Sequence, residues 1–179
     1  LSIYILFFSL ITVFKKSAAP ITTPLYALSQ GLFLGGLSAI LEQSYPGIVI
    51  QAVALTFGTL FCLLSAYKSK VIQATENFKL GVFAATGGIG FVYLASFILS
   101  FFGIQIPGIF GNGGIGILFS VVVVVIAALN LVLDFDFIEK ASEGNNPKYM
   151  EWIGAFGLMV TLIWLYIEIL RLLVKLKDQ

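Results

Sequence analysis

The sequence predicts an all-α fold: a polytopic bundle of transmembrane helices, with six spans in this chain. Two observations carry that prediction. Of 179 residues, 59% are hydrophobic and only 11% charged, with mean hydropathy +1.04, whereas a soluble domain carries roughly 25% charged residues. A chain this apolar has too little polar surface to cover itself in water. Its apolar residues also fall into long runs, and a helix crosses a bilayer with about 20 such residues at about 1.5 Å rise each. Residues 1–179 read as a single transmembrane bundle domain.

The expected spans are residues 1–14, 24–43, 48–67, 80–102, 115–133 and 152–174. Between them lie "KKSAAPITT", "SYPG", "KSKVIQATENFK", "GIQIPGIFGNGG" and an acidic stretch ending in "EGNNPK". Each contains Pro, Gly or charge, the residues that end helices. The first run is short and opens on Leu1 rather than Met. One earlier helix is therefore expected to be missing, which makes seven spans in the complete protein. A signal peptide fits poorly, because no basic stretch precedes the apolar run.

Cytoplasmic loops are enriched in Lys and Arg. Alternate connections put Lys15, Lys16, Lys68, Lys70, Lys79, Lys140 and Lys148 at one end, expected to be the inner one. Arg171, Lys175 and Lys177 follow or close the last span at the other end and count against that orientation.

Composition also limits the chemistry. A formal net charge of +1 gives no footprint for nucleic acid. Histidine is absent, which removes its use as catalytic base, metal ligand or near-neutral proton switch. The lone cysteine, Cys62, cannot form an intrachain disulfide and is expected to pack as a small hydrophobe. "ATGGIG" at 85–90 is no phosphate loop, because no Lys-Ser/Thr follows. No Lys falls in mid-span to serve an intramembrane serine protease, and no Asp in another span pairs with Asp134 for aspartyl proteolysis. An enzyme is not expected, nor is a cofactor.

Small residues let membrane helices pack closely, so Gly31 and Gly35 in "GLFLGG", and Gly87, Gly88 and Gly90, are read as packing positions. Ionisable groups inside a span are costly and often mark function. Glu42, Glu168 and Arg171 all fall toward the outer side. Glu168 and Arg171 share a helix face at i,i+3. An ion pair joining the second and last spans, or a gate, follows from these three. The other concentration of acid is "LDFDFIEKASEG", directly after the uncharged "GILFSVVVVVIAALN". On a helix Asp134 lines up with Asn130, one turn deeper, whereas Asp136 and Glu139 share a different face. Burial at such a dry edge penalises a charged carboxylate. Asp134 is accordingly the leading candidate for sensing protons or ions, and Asp136 is a further one nearer the headgroups.

The run "LVLDFDFIEKASEGNNPKYMEWIGAFGLMVTLIWLYIEILRLL", with "PLYALSQGLFLGGLSAILEQSYPGIVIQAVALTFGTLFCLLSAYKS" upstream, resembles the Bax inhibitor-1 family, in particular its bacterial YccA-like branch. The resemblance implies a seven-helix bundle with its last helix near the centre. It also implies a pH-sensitive calcium leak gated by carboxylates from the last two helices. Asp134 matches the first carboxylate, and Glu168 in "LYIE" is the candidate for the second, so a calcium site would use Asp134 and Glu168. The alternative assigns Glu168 to an outer cluster with Glu42 and Arg171, with Glu151 the fallback partner for Asp134. Two functions follow as expectations: a calcium leak channel, or a non-conducting regulator that binds a membrane protease or a stress or cell-death partner. The expected setting is the lipid bilayer of a bacterial inner membrane.

Overall fold

Breaks in hydropathy become the turns of the bundle. The computed structural model describes residues 1–104, 106 and 108–179; Gln105 and Pro107, in the expected outer loop, lie outside the described residues. Helix α1 is Ser2–Phe14, followed by a short 3-10 turn at Lys16–Ala18. Then come α2 (Ala19–Ser44), α3 (Ile48–Lys68), α4 (Glu76–Phe101), α5 (Gly114–Glu143) and α6 (Tyr149–Lys177), with no strand among the described residues. Five of the helices are long and apolar enough to cross a membrane; α1, at 13 residues, is shorter. The protein is an all-α integral membrane protein.

Two boundaries differ most from the hydropathy reading. Helix α2 starts at Ala19, before the expected residue 24, because Pro20 falls in the first turn, where no N–H is needed. Pro24 then sits inside the helix and removes one backbone donor. Helix α5 continues past Leu133 to Glu143, since the acidic residues are compatible with helix and neither Gly nor Pro intervenes before Gly144. The stretch with Asp134, Asp136 and Glu139 is therefore helical.

Side-chain contacts sort the connections into two ends. At one, Thr23 of α2 meets the Trp152 carbonyl of α6, Lys79 meets Asp136, and Tyr67 meets Glu139. At the other, Tyr45 donates to Asp178 at 2.6 Å and Asn112 to the same carboxylate at 3.2 Å. Accepting from Tyr45, Asp178 pushes that phenol up and keeps it a donor. The ends correspond to the alternation read from sequence, and are named inner and outer by the charge rule.

Helix α6 lies at the centre, touching α2, α3, α5 and the 3-10 turn. Its Leu165, Tyr166, Ile169 and Leu170 form one apolar core with Ile48 and Ala52 of α3 and Ala127, Leu131 and Phe135 of α5. The α5–α6 approach is close at the inner end, where a Cβ on Gly154 would come within 3.0 Å of Ile138 Cγ1.

The other glycines behave differently. Gly31, Gly35, Gly87, Gly88 and Gly90 have no neighbouring atom within 4 Å of a built Cβ and face outward, so they do not pack helices within this bundle. Cys62 is also exposed rather than packed, because it falls on the face of α3 turned from α6. Gly154→Val should destabilise the purified protein by about 1–3 kcal/mol through overpacking, while Gly31→Ala and Gly87→Ala, whose added methyl meets nothing in the bundle, should hold or slightly raise its stability. Thermal unfolding in detergent of the three variants checks this contrast.

Candidate functional site

The polar residues of the bundle separate into three groups at different depths. At the inner edge α3, α4 and α5 are tied by charge. Asp136 Oδ2 lies 2.9 Å from both Lys79 Nζ and Lys140 Nζ, and Lys79 also reaches Glu76 at 3.3 Å. Glu139 accepts from the Tyr67 hydroxyl. Thr75 caps α4 by accepting from Phe78 N at 3.2 Å, which directs the first turn of α4, with Lys79, toward α5. Asp136 is thus paired with two lysines at the inner edge.

The second group lies deeper, between α4, α5 and α6. Asn130 donates to Thr86 Oγ1 at 2.9 Å, so this stripe of α5 faces the bundle interior. One turn toward the inner end, Asp134 turns to α6, where Gly157 makes room: a Cβ there would stand 3.6 Å from Asp134 Oδ1. Thr161 also faces Asp134, but its hydroxyl proton is given to the Gly157 carbonyl at 3.1 Å. Asp134 Oδ2 is buried and has no hydrogen-bond partner among the described residues. A buried acceptor left unsatisfied costs about 1–3 kcal/mol, and more when charged.

The third group is at the outer end. Glu168 is 2% exposed. Its Oε1 accepts from Tyr93 Oη at 2.9 Å and from Arg171 Nη1 at 3.4 Å, while Oε2 is buried with no partner among the described residues. Arg171 Nη1 also donates to Tyr93 Oη at 2.9 Å, so the three groups close a triangle. Phe110 and Phe119 pack on the Tyr93 ring with centroids 5.9 and 6.2 Å away. Tyr93 links α4 to the central helix in this way.

Of the residues expected to form the outer ion pair, Glu168 and Arg171 meet and Glu42 does not join them. Glu42 instead accepts from Gly47 N at 2.6 Å and Val49 N at 3.1 Å. The turn at 45–47, with Gly47 at φ 84, folds the start of α3 back over the end of α2. The unbonded N–H groups of α3 then take the nearest anion. Nor are Asp134 and Glu168 brought together. Asp134 faces Gly157, and Glu168 lies eleven residues further along α6, about 16 Å along the axis at 1.5 Å per residue. Glu151 is exposed in the first turn of α6, on the opposite side of Gly157 from Glu168. Among the described residues no three His, Cys, Asp or Glu side chains gather as a metal site.

Two cavities open at the inner end. One, of about 520 Å³, is lined by Ser142, Asn146, Lys148, Met150, Glu151 and Gly154, among others. The second, of about 700 Å³, is lined by Tyr67, Lys68, Lys70, Gln73, Asp136 and Glu139, among others. Neither lining includes Asp134 or Glu168.

The family model described as Bax inhibitor 1 like matches residues 1–178. The chain belongs to that family. No curated protein and no solved structure matches it. For this family member, sequence reading missed Tyr93, Thr161 and Lys79 as partners of charge, and Lys175 as a buried charge. Lys175 carried a signal, since Glu168, Arg171 and Lys175 recur at i, i+3 and i+7 along one face of α6. Tyr93→Phe should destabilise the protein by about 1–3 kcal/mol, the penalty of unsatisfying buried Glu168. Glu42→Ala should lower the unfolding midpoint through loss of the acceptor that caps the start of α3, with Glu42→Gln milder. Unfolding midpoints in detergent test both.

Proposed function

We propose that this family member is a pH-sensitive cation leak, with calcium as the permeant ion that the family resemblance implies and Asp134 as the sensing carboxylate. The observation that carries the reading is Asp134 itself: a buried acid in the bundle interior with one oxygen left unpartnered. Its protonated form can donate to a neighbouring carbonyl or hydroxyl on α6; its ionised form can only accept and needs water or a cation. The two forms therefore favour different packings of α5 on α6 at Gly157. Glu168, held by Tyr93 and Arg171, is proposed as the outer gate, a separate station rather than a second ligand for an ion held at Asp134. Asp136 is proposed to hold the inner ends of α4 and α5 through its lysine pairs. We place the protein in the inner membrane of a bacterium, and regard it as a conductor rather than an enzyme.

A second reading has its own support. The outward glycine faces at Gly31 and Gly35 on α2, and Gly87 and Gly88 on α4, are the kind of surface on which another transmembrane helix packs. They favour a non-conducting regulator that docks a membrane protease or a stress or cell-death partner.

Calcium flux into liposomes containing the purified protein separates the two. For the leak, wild-type flux differs between about pH 6 and pH 8, the span over which a perturbed carboxylate can titrate, and Asp134→Asn conducts alike at both. Flux no greater than that of empty liposomes at every pH would sink the leak and favour the regulator.

A further inference from the structure

At the outer end α6 carries another charge into the interior. Lys175 is 4% exposed, and its Nζ donates to Ser120 Oγ at 2.8 Å, the Gly116 carbonyl at 3.0 Å and the Ile109 carbonyl at 3.4 Å. Its three N–H donors meet three neutral oxygens. None of the ion pairs among the described residues includes Lys175. An isolated buried charge is strongly disfavoured unless dipoles replace its water. Here backbone and hydroxyl dipoles do so, the means by which carbonyl rings hold a dehydrated potassium ion.

The local backbone is shaped to bring these oxygens together. A Cβ on Gly116 would lie 1.9 Å from the Gly111 carbonyl oxygen and 2.9 Å from that of Gly108, so residues 108–111 rest directly on the first turn of α5. Gly108, at φ 90, allows the chain to turn there. Ser120 follows Gly116 by one turn, on the same helix face. From the same loop Phe110 packs on Tyr93 and Phe119, over the Glu168–Arg171 pair. The lysine thus ties down the segment whose Phe110 packs on Tyr93.

We propose that Lys175 is a tethered plug: its ammonium occupies an oxygen-lined cation site between the outer loop and α5. Once the lysine is removed, that site takes a monovalent cation or a primary alkylammonium. The charge class follows from the ligands. Only neutral oxygens surround Nζ, and Arg171 lies one turn away on the same face, whereas calcium sites rely on carboxylates to offset the second charge. The proposal is independent of whether the protein conducts.

Lys175→Ala removes the equivalent of propylammonium and leaves its cage behind. The test is thermal unfolding of the purified full chain in detergent, in equal concentrations of potassium, propylammonium or choline chloride. The variant should unfold several degrees higher in potassium or propylammonium than in choline, with a saturable dependence, while wild type unfolds alike in all three. Identical unfolding of the variant in every salt would overturn the proposal. Wild type gives a reading that needs no folded variant: modification by a small water-soluble amine reagent, located by mass spectrometry. Lys177 should react and Lys175 should stay protected; equal rates at the two lysines would equally overturn it.

Discussion

Lipid offers no hydrogen bonds, so each polar group that α6 carries into the membrane has to find its partner inside the bundle. The rest of the structure follows from that constraint. The central helix carries Thr161, Tyr166, Glu168, Arg171 and Lys175; Thr161 bonds back to the Gly157 carbonyl of the same helix, and the other four reach out to neighbouring elements. Tyr166 shares a 2.7 Å hydrogen bond with Ser38 of α2, Glu168 and Arg171 engage Tyr93 of α4, and Lys175 holds the outer loop and the first turns of α5. Apolar contact alone would not select these positions, since lipid tails are as apolar as leucine. Helix α4 illustrates this: it packs mainly on α5, and its tie to α6 is the Tyr93 hydroxyl.

The two ends satisfy charge by different means. At the inner edge carboxylates meet lysines near water, in the Lys79–Asp136–Lys140 group. Partly exposed pairs of this kind contribute about 0–1 kcal/mol each, and their role is to orient helix ends. At the outer end charge is buried and held largely by neutral groups: a phenol for Glu168, carbonyls and a hydroxyl for Lys175. Arg171 and Lys175 bond to partners within the bundle, whereas Lys177 is exposed and reaches only the Pro46 carbonyl at 3.4 Å.

Hydropathy revealed the turns because each apolar run has the length a bilayer demands, and the interior stripe of α5 was legible because Asn130 and Asp134 are i,i+4. Partner identity was not legible. Which anion caps α3 depends on how the turn at 45–47 folds back, and nothing in the spacing of Glu42 from Gly47 distinguishes that from an ion pair with Arg171. Tyr93 is one aromatic among many in apolar runs, and only the rotation of α4 about its axis turns its hydroxyl to Glu168. The end of α5 was read too early for a related reason. Hydropathy marks where lipid stops, whereas a helix continues until Gly144 and Pro147 end it.

The separation of Asp134 from Glu168 constrains any mechanism in this bundle. Carboxylates about 16 Å apart along one helix axis cannot share a proton or ligate one ion, so a change at one reaches the other only through a body that touches both. That body is α6. It meets Asp134 at Gly157 and Thr161, and it carries Glu168, Arg171 and Lys175 on its outer half. Gly157 presents no side chain to Asp134, and a Cβ there would stand 3.6 Å from Asp134 Oδ1. At the outer half the bonds are several and directional. A rotation of α6 that relieved the inner acid would break the Tyr93 triangle and pull Lys175 from its oxygens together. Any coupling between the ends therefore has to run through packed helices, against outer bonds that are several and directional.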